Sequence, residues 1–448
     1  MARPDACVRP RKSKAERIDK NLAADNHTLV VLDPGHFHAA LTLRQRHPRL
    51  SDEVHVYAAD GPDLENFLRI VRTFNQRADN PTRWNLHVYR GEDRFERLLS
   101  ERRGDVAIIA GKNDSKMASI HRLHAHGFFV LGDKPWLIDP AQIGMLEEAA
   151  TMPPLAMDIM TERHEIATRL QVALAAQPRV FGRLRNDGDQ PAISMQSVHH
   201  LYKIVNGVPL VRPPWVFDVA VQGEGITDVT THLVDLAQWI SGGGQPFDYD
   251  RDVELLSARQ WPTEVPRDMF TRITGLDDFP WALRHRIADG VLSYLCNAAM
   301  SFRLRGIAAA IESRWALAVP EGGGDTHYAL VRGTAADLIV EHSGLTRYVT
   351  ELTIRPVDGG AGYAAALESA IESLEAEFPG LGIEPSAGEY RIAIPQALRT
   401  THEQHFAKVL DQFLSRMDGG VLSDNYGRDL VAKYRLLMRA AELSRCNA

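Results

Sequence analysis

From Thr28 onward, short apolar runs alternate with longer segments whose apolar residues recur at helical spacing. The runs Leu29 to Leu32, Val54 to Ala58, Leu86 to Tyr89, Val106 to Ala110 and Phe128 to Leu131 have the length of strands buried on both faces. Between them, Ser115 to His126 carries Met117, Ile120 and Leu123 on one helical face and stops at Gly127. This alternation predicts parallel βαβ units and a doubly wound sheet over residues 28–150. After Thr151 a helix is expected from Thr161 to Ala175, followed by strands with longer connections: Ile193 to Leu201, Val253 to Arg259, Val291 to Leu304, Trp315 to Val319 and Ala336 to Val340. Hairpin signals such as Glu321 to Asp325 suggest antiparallel pairing. Ala361 to Glu377 and Thr401 to Leu414 read as helices, and Pro379 to Pro395 as loop. Residues 151–448 thus form a second, different α/β domain. The basic head, within residues 1–27, reads as a disordered leader.

Composition narrows the class. At 448 residues, with 44% hydrophobic and 24% charged residues, the chain can bury a large core. No apolar run approaches the roughly 18 residues of a membrane span. The net charge of -7 argues against general nucleic-acid binding. Cys7, Cys296 and Cys446 are scattered and suggest neither a disulfide framework nor a structural zinc site, so a cytoplasmic setting is expected.

Five segments carry candidate chemistry. In the first βα turn, Asp33-Pro34-Gly35-His36-Phe37-His38, only Gly35 fits the glycine register through which a backbone approaches a pyrophosphate; Asp33 and His38 replace the outer glycines. Asp60, after the second strand, is placed to accept hydrogen bonds from an adenosine ribose, which favours NAD over NADP. Gly132-Asp133-Lys134-Pro135 follows a buried strand, so Lys134 should point into the crevice outside the strand ends. Asp228 lies one helical turn before His232, close enough to orient an imidazole, with both off the apolar face of a helix beginning near Thr230. An N-capping aspartate and a surface histidine would explain the same spacing. Asp228, His232 and Asp235 have no companion ligand cluster, so no metal site is expected. His200 and Tyr202 should share one face of a strand, opposite His199 and Lys203, and are candidates for substrate contacts.

These pieces resemble, in order and spacing from Thr28 to the C-terminus, the superfamily of glucose-fructose oxidoreductase, inositol dehydrogenase and MocA. Gly127 to Pro135 resembles its G-x-x-V-x-x-E-K-P element, with Asp133 in place of Glu. Asn113 resembles the asparagine that contacts the cofactor after the fourth strand, with Lys116 where a histidine is usual. Asp228 and His232 match D-x-x-x-H. Asp158 to Arg163 and Thr231 to Trp239 look like a divergent subgroup with its own C-terminal domain. The resemblance implies a Rossmann domain joined to an α/β domain with an open, mainly antiparallel sheet. It implies bound NAD or NADP, held by Gly35, His36, Phe37, Asp60, Asn113, Lys116, Asp133, Lys134 and Pro135, and a sugar, polyol or similar substrate. Lys134 would polarise the reacting hydroxyl, His232 take its proton and Asp228 orient the pair, with His200 and Tyr202 beside the substrate. The family often assembles as a homo-oligomer through its C-terminal sheet. Fold alone does not set the reaction. Transient oxidation followed by bond cleavage would use the same residues, and a non-catalytic ligand-binding protein would retain the fold.

Overall fold

In the computed structural model, which describes residues 26–186, 190–205, 208–418 and 424–446, the expected strands of the first half line up as a parallel sheet. They are β1 (His27–Leu32), β2 (Leu50–Ala58), β3 (Asn85–Arg90), β4 (Val106–Ile109), β5 (Phe129–Gly132) and β6 (Ala156–Asp158), in the order β3-β2-β1-β4-β5-β6. The central strands β1 and β4 are buried over Leu29–Leu32 and Val106–Ile109, which is why they read as continuous apolar runs. The order reverses between β1 and β4, so the crevice of this doubly wound sheet opens at their carboxyl ends. The sheet runs past the boundary expected at residue 150, because β6 adds a sixth strand after Pro153 and Pro154. The expected leader lies outside the described residues, apart from the start of β1.

The second sheet has ten strands. In chain order its members are β7 (Ile193–Tyr202), β10 (Val253–Pro266), β11 (Ile287–Ala288), β12 (Val291–Leu304), β13 (Ile307–Ala318), β14 (Thr326–Arg332), β15 (Ala336–His342), β16 (Glu351–Pro356), β17 (Gly382–Ser386) and β18 (Glu389–Ala393); β8 (Ile204–Val205) and β9 (Val208–Pro209) pair separately. Pairing is antiparallel except between β13 and β7, which run parallel. Glu321 to Asp325 therefore does not close a hairpin: β13 and β14 flank β7, and the connection carries Asp325 across the end of β7. The expected loop from Pro379 to Pro395 contains the hairpin β17–β18. Its two-residue turn, Ala387-Gly388, has φ of 47° and 87°, the positive values a primed turn requires.

Helices Ile166–Ala175 and Ala361–Leu374 cover one face of this sheet, with Leu170, Leu174, Leu338, Val340, Ile354, Leu367 and Ile371 in one core. The chain then returns to the first domain. Phe406, Val409, Leu410, Phe413 and Leu414 of helix His402–Asp418 share a core with Leu29, Val31 and Leu43. In helix Asp424–Cys446, the buried Lys433 lies 2.8 Å from both Asp158 at the end of β6 and Asp235 of the second half. Among the described residues, no helix is long and apolar enough to cross a membrane.

Candidate active site

The end of β5 turns at Gly132 and sends Lys134 toward the second half, where its Nζ meets Oδ1 of Asp228 at 2.6 Å. Both side chains are 10% exposed. Asp228 sits just before helix Thr230–Gly242 and caps nothing; its second oxygen accepts from Nε1 of Trp315 at 3.1 Å. Burial alone would raise the Asp228 carboxyl, but Lys134 outweighs it and holds the pKa below the usual carboxylate value. The indole of Trp315 lies beneath the Arg212 guanidinium at 4.9 Å and 5.1 Å from the His199 ring.

His232 is half-buried rather than a surface residue, with its Nδ1 turned inward. Helix Thr230–Gly242 is buried on most of its circumference because the two domains and the C-terminal helices close around it. Burial, reinforced by Lys134, pushes the His232 imidazole down to about 4, so it is neutral near pH 7. Its Nδ1 is buried without a hydrogen-bond partner among the described residues. Asp235, three positions on, is turned away from this centre: Arg163 holds both its oxygens and Lys433 a further contact.

The first βα turn differs from a glycine loop in an ordered way. Asp33 adopts a φ of 42°, and its carboxylate meets Nε of Arg94 at 2.5 Å, away from the turn. The replacement of the third glycine by His38 is matched by the aspartate in Gly132-Asp133-Lys134. His36 Nδ1 and His38 Nδ1 each lie 3.0 Å from an oxygen of the Asp133 carboxylate. Burial opposes that charge, but the two histidines hold Asp133 well below its ordinary pKa. Burial pushes His38 down to about 3. Phe37 packs against both imidazoles, at 4.6 Å from each.

Asn113 ties the two halves together, and Lys116 holds Asn113 in place. Nδ2 of Asn113 donates to the Gln222 carbonyl at 2.6 Å, and its Oδ1 accepts from Lys116 Nζ at 2.5 Å. Lys116 also donates to the Asp133 carbonyl at 3.0 Å, and burial pushes its pKa down to about 8. Their polar groups are thus engaged within the protein. Asp60 remains exposed at the end of β2, in an ion pair of 2.6 Å with Arg90. Pro135 follows Lys134 through a cis peptide bond.

His200 and Tyr202 do not join Lys134, Asp228 and His232. The strand ends at Tyr202, so the chain beyond it no longer alternates, and Lys203 turns onto the same carboxylate as His200. Asp325 accepts from His200 Nδ1 at 3.0 Å and Lys203 Nζ at 2.6 Å. Tyr202 lies under Arg272 at 4.3 Å. His199, whose Nδ1 also lies 3.5 Å from Asp325, is the strand residue that adjoins Trp315. Two groups escaped the sequence reading. Trp315 looked like one more strand residue, and Glu162 lay inside the 158–163 motif without a visible partner. Burial would raise Glu162, but His402, His232, His327 and His405 bring it down to about 2. His402 opens helix His402–Asp418, 3.6 Å from Glu162.

Residues 170–445 match the family model "Putative oxidoreductase C terminal domain". Among solved structures, an oxidoreductase-class protein from Parabacteroides merdae, described as putative, is 38% identical over 95% of this chain and 98% of its own, with a TM-score of 0.91. A levoglucosan dehydrogenase in complex with NADH and levoglucosan has a TM-score of 0.58 at 13% identity, covering 94% of this chain and 98% of its own. KijD10, a 3-ketoreductase from Actinomadura kijaniata in complex with NADP, has a TM-score of 0.55 at 14% identity, covering 93% and 97%. The last two share the fold. No curated protein sequence matches the chain significantly. The family model over residues 170–445 and the 38% identical relative show that this chain belongs to the family of oxidoreductases that carry this C-terminal domain.

Proposed function

We propose that the protein is an NAD(P)-dependent oxidoreductase that transfers hydride between a nicotinamide and a secondary alcohol or ketone of a sugar or polyol. The observation that carries this reading is the buried Lys134–Asp228 pair at 2.6 Å, beside a neutral His232 whose Nδ1 is unpartnered. Two ionised groups and a free imidazole at the carboxyl end of a parallel strand form an acid–base set rather than a packing contact.

The crevice fits a dinucleotide. Asp33 is drawn off by Arg94, which removes the carboxylate from the turn where a pyrophosphate would lie. Gly111 lets the neighbouring strand end pass close to that turn, since a Cβ there would lie 2.4 Å from the Asp33 carbonyl oxygen. Gly35, His36 and Phe37 would hold the pyrophosphate side and Asp60 the adenosine ribose, with Arg90 next to it. Asp133, Lys134 and Pro135 would lie toward the nicotinamide end. Asn113 and Lys116 would act from behind, by holding the Asp133 peptide. The bound nicotinamide supplies or accepts the hydride.

Within this frame the Lys134 ammonium donates to the reacting oxygen and stabilises its negative charge. Asp228 keeps that ammonium aimed, and Trp315 fixes Asp228. In the oxidative direction a nitrogen of the neutral His232 takes the hydroxyl proton, and in reduction the imidazolium returns it. The named ligands of the two fold relatives, levoglucosan with NADH and NADP, support a sugar-like substrate and a nicotinamide cofactor here. The test is to screen sugars and polyols for nicotinamide reduction with wild type, Lys134→Ala and His232→Ala. Loss of turnover in both variants with nucleotide binding retained is the expected result, and unchanged turnover in Lys134→Ala would overturn the mechanism.

A further inference from the structure

We infer that His36, His38 and Asp133 form a binding site for one divalent transition-metal ion of the zinc type. The two histidines come from the first βα turn and the aspartate from the end of β5, so the fold itself, rather than one local sequence motif, brings them together. Their ligand atoms lie within 4.8 Å of one another, and two edges of the triangle are known more closely. Oδ2 of Asp133 is 3.0 Å from His36 Nδ1 and 3.1 Å from His38 Nδ1. Zinc bonds imidazole nitrogen and carboxylate oxygen at about 2.0–2.2 Å, which spaces neighbouring ligand atoms by roughly 3 to 3.5 Å. An ion can therefore replace the two shared protons with little movement of the side chains.

The surroundings suit such an ion. Asp133 is 3% exposed and His38 12%, whereas His36 is 26% exposed, so the cluster has a buried floor and an open edge. His38 is held by the Phe406 ring at 4.5 Å and by the His36 ring at 4.0 Å, which fixes its orientation. Lys116 holds the Asp133 carbonyl at 3.0 Å, which stiffens the carboxylate's own peptide. The two nearby ammonium groups are already matched, Lys134 by Asp228 at 2.6 Å and Lys116 by the Asn113 and Asp133 oxygens. Three protein ligands leave a position for water or a ligand oxygen. Two histidines and one carboxylate also suit iron or cobalt, so the ion's identity rests on measurement. A glycine loop needs none of these side chains, and their joint presence in place of the third glycine and the usual glutamate is what the metal accounts for.

The experiment uses tag-free full-length protein stripped with chelator, without nucleotide or substrate, so it is independent of the hydride-transfer reading. Cobalt(II) is titrated and followed by its visible absorption, then displaced with zinc against a chelator of known affinity. The expected result is one equivalent per chain, with affinity lowered at least tenfold in His36→Ala and in His38→Ala and unchanged in the exposed control His285→Ala. Should His38→Ala fail to fold, the more exposed His36→Ala decides, its fold checked by thermal melting. Binding well below one equivalent, or equal affinity in wild type and folded His36→Ala, would overturn the site.

Discussion

Nζ of Lys134 lies 2.6 Å from Oδ1 of Asp228, although 94 positions separate them in the chain. The pair joins the turn after β5 to the helix entry of the second domain. Asp228→Asn should keep the shape while removing the counter-charge. Turnover should then fall by about 10² to 10⁴, the usual contribution of a positioned proton-transfer set. Steady-state kinetics on the folded variant checks this, and a loss below about tenfold would mean that Lys134 needs no partner.

His232 should set the acidic limb of the pH profile for alcohol oxidation. Its imidazole works as a base only when neutral, and burial with Lys134 brings its pKa to about 4. The limb of kcat/KM should therefore fall near pH 4 rather than near an ordinary histidine's value of about 6.5. Replacing Lys134 by Met removes a positive neighbour, so the His232 pKa should rise in that variant, as followed by its ring proton resonances. A limb near 6.5 in wild type would assign the proton to another group.

Trp315 is the residue whose side chain finishes the site from the sheet. Trp315→Phe keeps the aromatic surface under Arg212 and removes the donor 3.1 Å from Asp228. The carboxylate loses one hydrogen bond, worth about 1 to 3 kcal/mol in a buried setting, so kcat should drop by roughly tenfold to a hundredfold. KM should change much less. Equal kinetics for the two proteins would reduce Trp315 to packing.

Lys433 is 1% exposed between Asp158 and Asp235, at 2.8 Å from each. Lys433→Met should cost about 3–5 kcal/mol, because it strands buried carboxylate charge. Arg163 compensates Asp235 in part, which favours the lower end. Denaturant unfolding measures the difference, and a cost below about 1 kcal/mol would show that Arg163 suffices.

Stability should fall as the solution is acidified below pH 6.5. Burial lowers His38 to about 3 and His164, His232 and His405 to about 4. Each folded value lies below the unfolded one, so between the two the unfolded chain binds more protons. The stabilisation is full above the unfolded pKa and is lost as pH drops toward the folded value, with a limiting slope of about 1.4 kcal/mol per pH unit for each group. Thermal melting at pH 7, 6 and 5 should show a progressive decline, and a flat profile would contradict the burial of these imidazoles.

The sequence disclosed the elements that fold by a strong local period. Val106 to Ile109 and Leu29 to Leu32 are buried on both faces and could be read directly, as could the helix through Met117, Ile120 and Leu123. β6 and the β17–β18 hairpin were hidden because they are short and begin or contain proline-bearing segments, and their pairing depends on distant strands. In the site, Lys134 stood out because it follows a buried apolar run, and Asp228 and His232 because they lie one helical turn apart at a helix entry. Trp315 and Glu162 did not, since their partners come from other elements. The partner of His200 was hidden for a related reason: Asp325 arrives on a connection that crosses β7, which no local pattern announces.

The most direct test of hydride chemistry at this site is nucleotide binding by wild type and Lys134→Ala. Purified protein is titrated with NADH and NADPH by fluorescence, and a denatured sample is assayed for released nicotinamide. The account predicts binding on the order of micromolar, or recovered cofactor, for both proteins, with turnover confined to wild type. Neither binding nor recovered nicotinamide in folded wild type would contradict it.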